Sequence, residues 1–421
     1  MKNSVKVVAV GVILVAAFQQ LGILILVRSE GCHFPAIFNF GDSNSDTGTV
    51  SAVLDRLPLP NGQTFFGKPS GRYCDGRLII DFMAEKLGIP FLSAYLDSIG
   101  ANFHHGANHA AGGSTIQFVD AKLYGAGFNP LSLEIQVSQF EQFKNRTTEL
   151  WNQSKNSCIR NTLPNPEDFS RALYTMDIGQ NDIHFALTTM TEVQVQASIS
   201  AIVDLFALAV EQLYKLGARA FWIHNTGPIG CLPFFVITYP PKAGDADQNG
   251  CIVSKNKVAQ QFNNQLKAKV STLRHRLEDA TIIYVDIYSA KYSLISNAKD
   301  YGFPRPLEYC CGKIGIVDCG EKEIVNGTEV YGTSCNDPAR YISWDGIHYT
   351  EAANKWVATR ILDGSFSEPK VSIANACLRP FSSTITDLNE AEERSSSSAW
   401  DGNGSAHMHH LMKALQPTLV L

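Results

Sequence analysis

The stretch Phe34-Pro-Ala-Ile-Phe-Asn-Phe-Gly-Asp-Ser43-Asn-Ser-Asp-Thr-Gly48 decides the reading of the chain. Ala36 to Phe40 is a short apolar and aromatic run, the pattern of a buried strand. Gly41 to Gly48 is Gly, Asp, Ser, Asn and Thr, the composition of a tight turn that enters a helix. Open α/β sheets place their chemistry at the carboxyl ends of buried strands. Ser43 is therefore the candidate nucleophile. Asp and Ser are also ordinary turn and capping residues, so the motif needs support from elsewhere in the chain.

The length of 421 residues suits one large α/β domain or two smaller ones. With 45% apolar and 18% charged residues, a sizeable core is expected. A formal net charge of −5 and the lack of a dense Lys/Arg run argue against a nucleic-acid or anionic-membrane partner. The start, Met1-Lys-Asn-Ser-Val-Lys6, is basic, and an apolar run follows to Val27, then Arg28-Ser-Glu-Gly. That is the pattern of a secretory signal peptide over 1–30. Gln19 and Gln20 interrupt the run and weigh against a membrane anchor, so no stable membrane insertion is expected after signal removal. All ten cysteines lie beyond the signal, and an even count in an exported chain favours disulfides of unspecified pairing. Sequons at Asn145, Asn152, Asn326 and Asn403 are candidate glycosylation sites. The expected destination is the extracellular space or cell wall, with the vacuole as the other end of the secretory route.

Alternation organises the middle of the chain. Arg77 to Gly88 has apolar positions at helical spacing, and Ile89 to Tyr95 reads as a strand. Asn102 to Ser114 is rich in Gly, Ala, Asn and His and reads as a loop where backbone approaches something closely. Leu131 to Thr147 is an amphipathic helix. Ala172 to Ile178, Ala218 to His224 and Thr281 to Asp286 read as strands. Between and after them lie helices over Thr191 to Leu216, Cys251 to Leu277 and Ile287 to Ala298. This rhythm predicts about five parallel strands with helices on both faces. Tyr301 to Pro338 reads as a disulfide-tied loop, and Thr350 as the cap of a last helix, Glu351 to Leu362. From Leu378 the composition turns to Ser, Glu, Asn and Gly, so 31–377 is the expected domain and 378–421 a disordered tail.

Three further segments are placed to meet Ser43. Asn108-His-Ala-Ala-Gly112-Gly113-Ser offers backbone N–H groups, Asp177-Ile-Gly-Gln-Asn181-Asp182 follows a strand, and Asp345-Gly-Ile-His348 precedes the last helix. A serine hydroxyl needs a neutral imidazole to take its proton. The imidazole needs a carboxylate to fix its tautomer. His348 and Asp345 supply both. A tetrahedral oxyanion needs donors, and the Ser43 N–H, an N–H of the Gly112-Gly113 pair and the Asn181 amide are the candidates. The elbow Gly-X-Ser-X-Gly is absent. His104, His105 and His109 lack a carboxylate or Cys at ligand spacing and read as loop histidines, so no metal is expected. His407, His409 and His410 lie in the tail.

Taken in order, Phe40 to Gly48, Asn108 to Gly113, Gly179 to Asp182 and Asp345 to His348 resemble the four blocks of the GDSL esterases/lipases, or SGNH hydrolases. Gly67-Lys-Pro-Ser-Gly-Arg-Tyr-Cys-Asp-Gly-Arg77 and Tyr341-Ile-Ser-Trp-Asp345 resemble the plant branch that includes early-nodulin and latex-esterase members. The resemblance runs from Phe34 to Cys377. It implies a flavodoxin-like three-layer α/β/α sandwich and no cofactor. It implies Ser43 as nucleophile, His348 as base, Asp345 as its orienter, and an oxyanion hole of Ser43, Gly113 (Gly112 as the fallback) and Asn181. Members commonly carry an aromatic where His109 stands. The activity implied is hydrolysis of acyl or acetyl esters on lipids, carbohydrates or metabolites. A non-catalytic secreted binding or defence protein on this fold, and an acyltransferase, are the alternatives. Oligomeric state is not readable from the sequence.

Overall fold

The computed structural model describes residues 31–119 and 127–377. The expected signal segment 1–30 and tail 378–421, with Asn403 and the tail histidines, lie outside the described residues. In chain order the main elements are β1 (Ile37–Gly41), α1 (Ile79–Leu87), β2 (Gly106–Asn108), α2 (Leu133–Gln153), β3 (Leu173–Asp177), α3 (Gln180–Thr189) and α4 (Glu192–Lys215). They continue with β4 (Ala220–His224), α5 (Val253–Arg276), β5 (Thr281–Val285), α6 (Ile287–Ser296), β6 (Lys322–Val325), β7 (Thr328–Tyr331), α7 (Glu351–Leu362) and β8 (Ser367–Glu368).

The central sheet has the order β2-β1-β3-β4-β5-β8. β2 to β5 and β1 are parallel, and β8 adds a short antiparallel edge on β5. This is the doubly wound arrangement, whose crevice opens where the strand order reverses beside β1. The strands are continuous buried runs because both faces are covered. Phe38 and Phe40 point from β1 into an aromatic layer under α2, 5.0 and 5.7 Å from the Phe140 ring. α2, α3 and α5 pack around α4, and α1 and α6 pack around α7. α4 is long and apolar enough to cross a membrane by composition alone, but its packing is that of a core helix. Thr191 and Gln194 close its first turn reciprocally.

Three expectations are corrected, and one helix is added. Ile89 to Tyr95 forms no strand; it contributes one bridge, Ala94 to Asn108. The strand lies instead in Gly106–Asn108, inside the segment read as a loop. A Gly-Ala-Asn strand has poor intrinsic propensity. It forms because only a glycine lets the chain run this close to β1: a Cβ on Gly106 would fall 1.9 Å from the Ile37 carbonyl oxygen. Within the segment read as a disulfide-tied loop, β6 and β7 form a hairpin, with Asn326 at its turn. The helix α3, which follows directly on the Gly179 turn, was not apparent from the sequence pattern.

Eight cysteines pair, as Cys32–Cys377, Cys231–Cys251, Cys310–Cys335 and Cys311–Cys319. Cys74 is buried and Cys158 exposed, and both are free. The even count therefore does not mean full pairing. Asn145, Asn152 and Asn326 are all exposed.

A buried polar ladder joins the strands to the Ser43 turn. Asn39, Asn108 and Thr175 stand at one level of β1, β2 and β3. Thr175 Oγ1 donates to Asn39 Oδ1 (2.7 Å), and Asn39 Nδ2 donates to Asn108 Oδ1 (2.7 Å). Asn108 Nδ2 in turn donates to the Ser45 carbonyl (2.6 Å) and to Thr47 Oγ1 (2.9 Å). Asp46 is the second staple. Its Oδ1 accepts from the N–H groups of Gly48 (2.7 Å) and Thr49 (2.6 Å). Its Oδ2 accepts from Val50 (3.1 Å) and from Gly112 (2.9 Å), 66 residues away. Burial raises the Asp46 pKa against these four donors, which favour the carboxylate.

Replacing Cys32 and Cys377 together by Ser should lower the unfolding free energy by about 2–5 kcal/mol, the usual range for a native disulfide. Urea unfolding reads it, with Cys158→Ser as a control expected to change little. Asp46→Asn turns one acceptor oxygen into a donor facing the Val50 and Gly112 N–H groups. Stability at pH 8 should fall by about 1–3 kcal/mol, the cost of leaving buried donors unpaired.

Candidate active site

Three loops at the carboxyl end of the sheet meet at Ser43. β1 delivers it, and the Asp42 N–H donates to the Asp177 carbonyl at the end of β3 (3.2 Å). Gln136 of α2 clamps Gly41 from both sides, accepting from its N–H (2.9 Å) and donating to its carbonyl (2.8 Å). Gly41 itself is required by space: a Cβ there would lie 2.3 Å from Ser45 Oγ and 2.7 Å from the Asp177 carbonyl oxygen.

Ser43 Oγ lies 2.7 Å from His348 Nε2, and His348 Nδ1 lies 2.6 Å from Asp345 Oδ2. In this geometry Nδ1–H donates to the carboxylate, and Nε2 accepts from the serine hydroxyl. Asp345 Oδ1 accepts from the N–H groups of Ile347 (2.9 Å) and His348 (2.8 Å), which fixes both carboxylate oxygens. Burial acts to raise the Asp345 pKa, but His348 and these N–H groups hold it below the ordinary carboxylate value. The loop is carried by fully buried Trp344, whose Nε1 donates to Asn61 Oδ1 (2.9 Å). The Cys310 and Cys311 N–H groups donate to the Trp344 carbonyl (2.9 and 2.7 Å). The paired cysteines thus hold the acid–base loop from below.

The segments that carry the candidate oxyanion donors are tied to one another and to the Ser43 turn. Asn181 stands in the first turn of α3, and its Nδ2 donates to the Ser114 carbonyl (2.9 Å), which leaves one amide proton over. Asp182 Oδ2 and Oδ1 accept from the Ile116 and Gln117 N–H groups (2.9 and 3.0 Å), so the loop after Gly113 is tied to the helix that carries Asn181. Burial pushes Asp182 up to about 7. Of the two glycines, Gly112 spends its N–H on Asp46. The Gly113 N–H meets no acceptor among the described residues, and its φ of 80° turns the backbone into the left-handed region.

Sequence reasoning missed several participants. Gln136 and Asn61 sit in no recognisable motif, and Trp344 lies in the Tyr341–Asp345 segment without a role being assigned to it there; only the fold brings them to the loops they hold. A buried charged group beneath the site was also invisible: Asp42, Asp177, His224 and Lys291, contributed by four different elements. Asp177 Oδ2 lies 3.1 Å from His224 Nδ1. Burial acts to raise Asp177, but His224 and Lys291 hold it low. Burial, and then the Asp177 charge, push Asp42 up. Burial lowers Lys291, whose ammonium lies 4.6 Å from the Tyr349 ring centroid.

His109, read from the sequence as a loop histidine, is buried in the core. No group of His, Cys, Asp and Glu able to hold a metal ion occurs among the described residues. His109 stacks on Phe40 with 5.3 Å between ring centroids, and burial pushes its pKa down to about 3. It is a neutral ring in an aromatic layer.

Residues 37–361 match the protein family described as GDSL-like Lipase/Acylhydrolase. A GDSL esterase/lipase of Arabidopsis thaliana is 51% identical over 83% of this chain and 90% of its own length. A protein named alpha-L-fucosidase 3, from the same plant, is 49% identical over 80% and 92%. The GDSL esterase/lipase ENOD8 of Medicago truncatula is 44% identical over 84% and 92%. Taken with the parallel sheet, these matches establish that the chain belongs to the GDSL esterase/lipase family and is a carboxylic ester hydrolase.

Proposed function

We propose that the chain hydrolyses esters through an acyl-enzyme formed on Ser43. The observation that carries this reading is the relay from Ser43 Oγ through His348 to Asp345, with contacts of 2.7 and 2.6 Å. Ser43 Oγ attacks the ester carbonyl carbon while its proton passes to His348 Nε2. Negative charge collects on the former carbonyl oxygen, and Asp345 stabilises the imidazolium. The oxyanion is received by the Ser43 N–H, the Gly113 N–H and the second proton of Asn181 Nδ2. His348 returns the proton to the departing alkoxide, and the alcohol leaves. A water molecule then gives a proton to His348 and attacks the acyl carbon; collapse breaks the bond to Ser43 Oγ, His348 returns the proton to that oxygen, and the carboxylic acid leaves.

For the acyl group we infer a short chain or acetyl, on a carbohydrate or small metabolite. Ser43 and His348 retain only 7% and 9% of their exposure. His184, one helical turn beyond Asn181, packs against Phe128 and Phe234 with ring centroids 5.8 and 5.1 Å away. The Phe234 N–H donates to the Gly346 carbonyl, so this aromatic wall adjoins the acid–base loop. The secretory reading, with the signal over 1–30 and a hydrolase domain over 31–377, is supported by the exposed sequons and by the Cys32–Cys377 bond that joins the ends of that domain. The glycosidase reading, prompted by the name of one relative, needs a pair of carboxyls facing the sugar. Asp345 commits both its oxygens within its own loop.

Ser43→Ala should abolish nitrophenyl acetate hydrolysis, and Asp345→Asn should lower kcat by about 10⁴-fold. Asn181→Ala should cost about 10²–10³-fold in kcat. A series of nitrophenyl esters from acetate to palmitate should show kcat/KM falling with chain length. Retained activity in Ser43→Ala would sink the mechanism, and a maximum at long chains would replace the short-acyl reading by a lipid one.

A further inference from the structure

We propose that Tyr73 is a positioning residue for the His348 imidazole, an inference that rests on His348 acting as the base. The Tyr73 ring stacks on the imidazole with 4.9 Å between centroids and 29° between planes. A Cβ on Gly112 would lie 2.5 Å from Tyr73 Cε2 and 2.8 Å from its hydroxyl oxygen, so the ring also lies directly over Gly112. Its polar edge therefore borders the glycine pair while its face covers the base.

The segment that presents this ring is pinned on both sides. Arg72 donates from Nε and Nη2 to the two oxygens of Asp81 on α1 (2.8 and 2.6 Å), and both side chains are buried. Asp75 Oδ1 accepts from the Glu351 N–H at the start of α7 (2.7 Å), three residues after His348. Arg77 Nη2 reaches Glu351 Oε1 at 2.7 Å. Gly71 presses against the Ser43 turn: a Cβ on it would lie 2.6 Å from Gly48 Cα. The chain from Gly71 to Arg77 is thus wedged between the nucleophile turn and the helix that follows the base.

Asp345 fixes only the in-plane direction of the imidazole, through Nδ1. A ring rotating about that hydrogen bond would carry Nε2 off the Ser43 line. The aromatic face supplies the missing restraint. It also meets the imidazolium with its negative face once the proton has arrived, the geometry in which aromatic rings attract cations. Both effects act during proton transfer, so they bear on kcat rather than on KM.

The test uses full-length secreted protein, nitrophenyl acetate as substrate, and the variants Tyr73→Phe, Tyr73→Leu and Tyr73→Met. With the ring kept, Tyr73→Phe should stay within about threefold of the parent. Tyr73→Leu and Tyr73→Met should lose about 10–100-fold in kcat with KM and melting temperature little changed, the scale expected of a catalytic group displaced by a fraction of an ångström to an ångström. Unchanged kcat in either aliphatic variant would overturn the inference. So would Tyr73→Phe falling as far as Tyr73→Leu, because the hydroxyl rather than the face would then matter. If one aliphatic variant fails to fold, the other and the Phe variant decide. Ser43→Ala run alongside separates the two readings: its inactivity with an insensitive Tyr73 removes this inference alone, and its activity removes both.

Discussion

The Asp46 carboxylate is the interaction on which the site depends. A nucleophile turn and an oxyanion loop that come from β1 and β2 have no covalent reason to keep a fixed spacing. Asp46 gives them one, because a single buried carboxylate accepts three N–H groups of its own turn and one from Gly112. The same bond sorts the two glycines. By consuming the Gly112 N–H it leaves Gly113 as the glycine of the pair whose N–H is available for the proposed oxyanion contact, so a single residue sets the spacing of the two loops and separates the two glycines. Burying a charge is unfavourable unless it is fully hydrogen-bonded. Four donors to two oxygens meet that condition.

The acid–base loop is secured by different means. It lies far along the chain from the sheet strand that carries Ser43, and it precedes α7 rather than ending a central strand. Its rigidity comes from the cysteine-rich segment: Trp344 is fully buried between the Cys310–Cys335 and Cys311–Cys319 bonds and Asn61. Hydrogen-bonded backbone then passes from Trp344 to the His348 carbonyl (2.7 Å), which closes the loop on itself. A loop so bound loses little entropy when the imidazole must hold one orientation. The disulfides of this segment therefore position the Asp345–His348 loop as well as stabilise the domain.

Most of the fold and the candidate site groups were legible because they follow local rules. Strands β3, β4 and β5 are apolar runs bounded by glycine and polar turns, and helices α4 and α7 begin at Thr191 and Thr350, whose hydroxyls cap them. Ser43, Asn181, Asp345 and His348 stand in short motifs whose residue types the chemistry demands. The failures share one cause: tertiary contacts overrode local preference. Gly106–Asn108 is a strand because β1 needs a partner that approaches closely, and Ile89 to Tyr95, with the better strand composition, is not paired there. Gln136 looks like any polar residue on an amphipathic helix, yet it holds the backbone of Gly41 from 95 positions away. Nothing in local sequence distinguishes such a residue from its neighbours.

The buried charges under Ser43 pose a separate physical question. Asp42 and Asp177 place two carboxyls behind a site that must accept a developing oxyanion, and like charges in a low-dielectric interior repel strongly. An uncompensated pair would favour the His348 imidazolium but oppose the oxyanion. Lys291 and His224 offset this: they draw Asp177 toward its charged form, while burial and Asp177 itself drive Asp42 toward its neutral form. The two carboxyls are thus pushed in opposite directions, which lessens the negative charge behind Ser43, and Lys291 lies against the face of Tyr349. A neutral Asp42 can still accept from the Asn44 N–H through Oδ1 (2.9 Å), so protonation leaves the nucleophile turn intact.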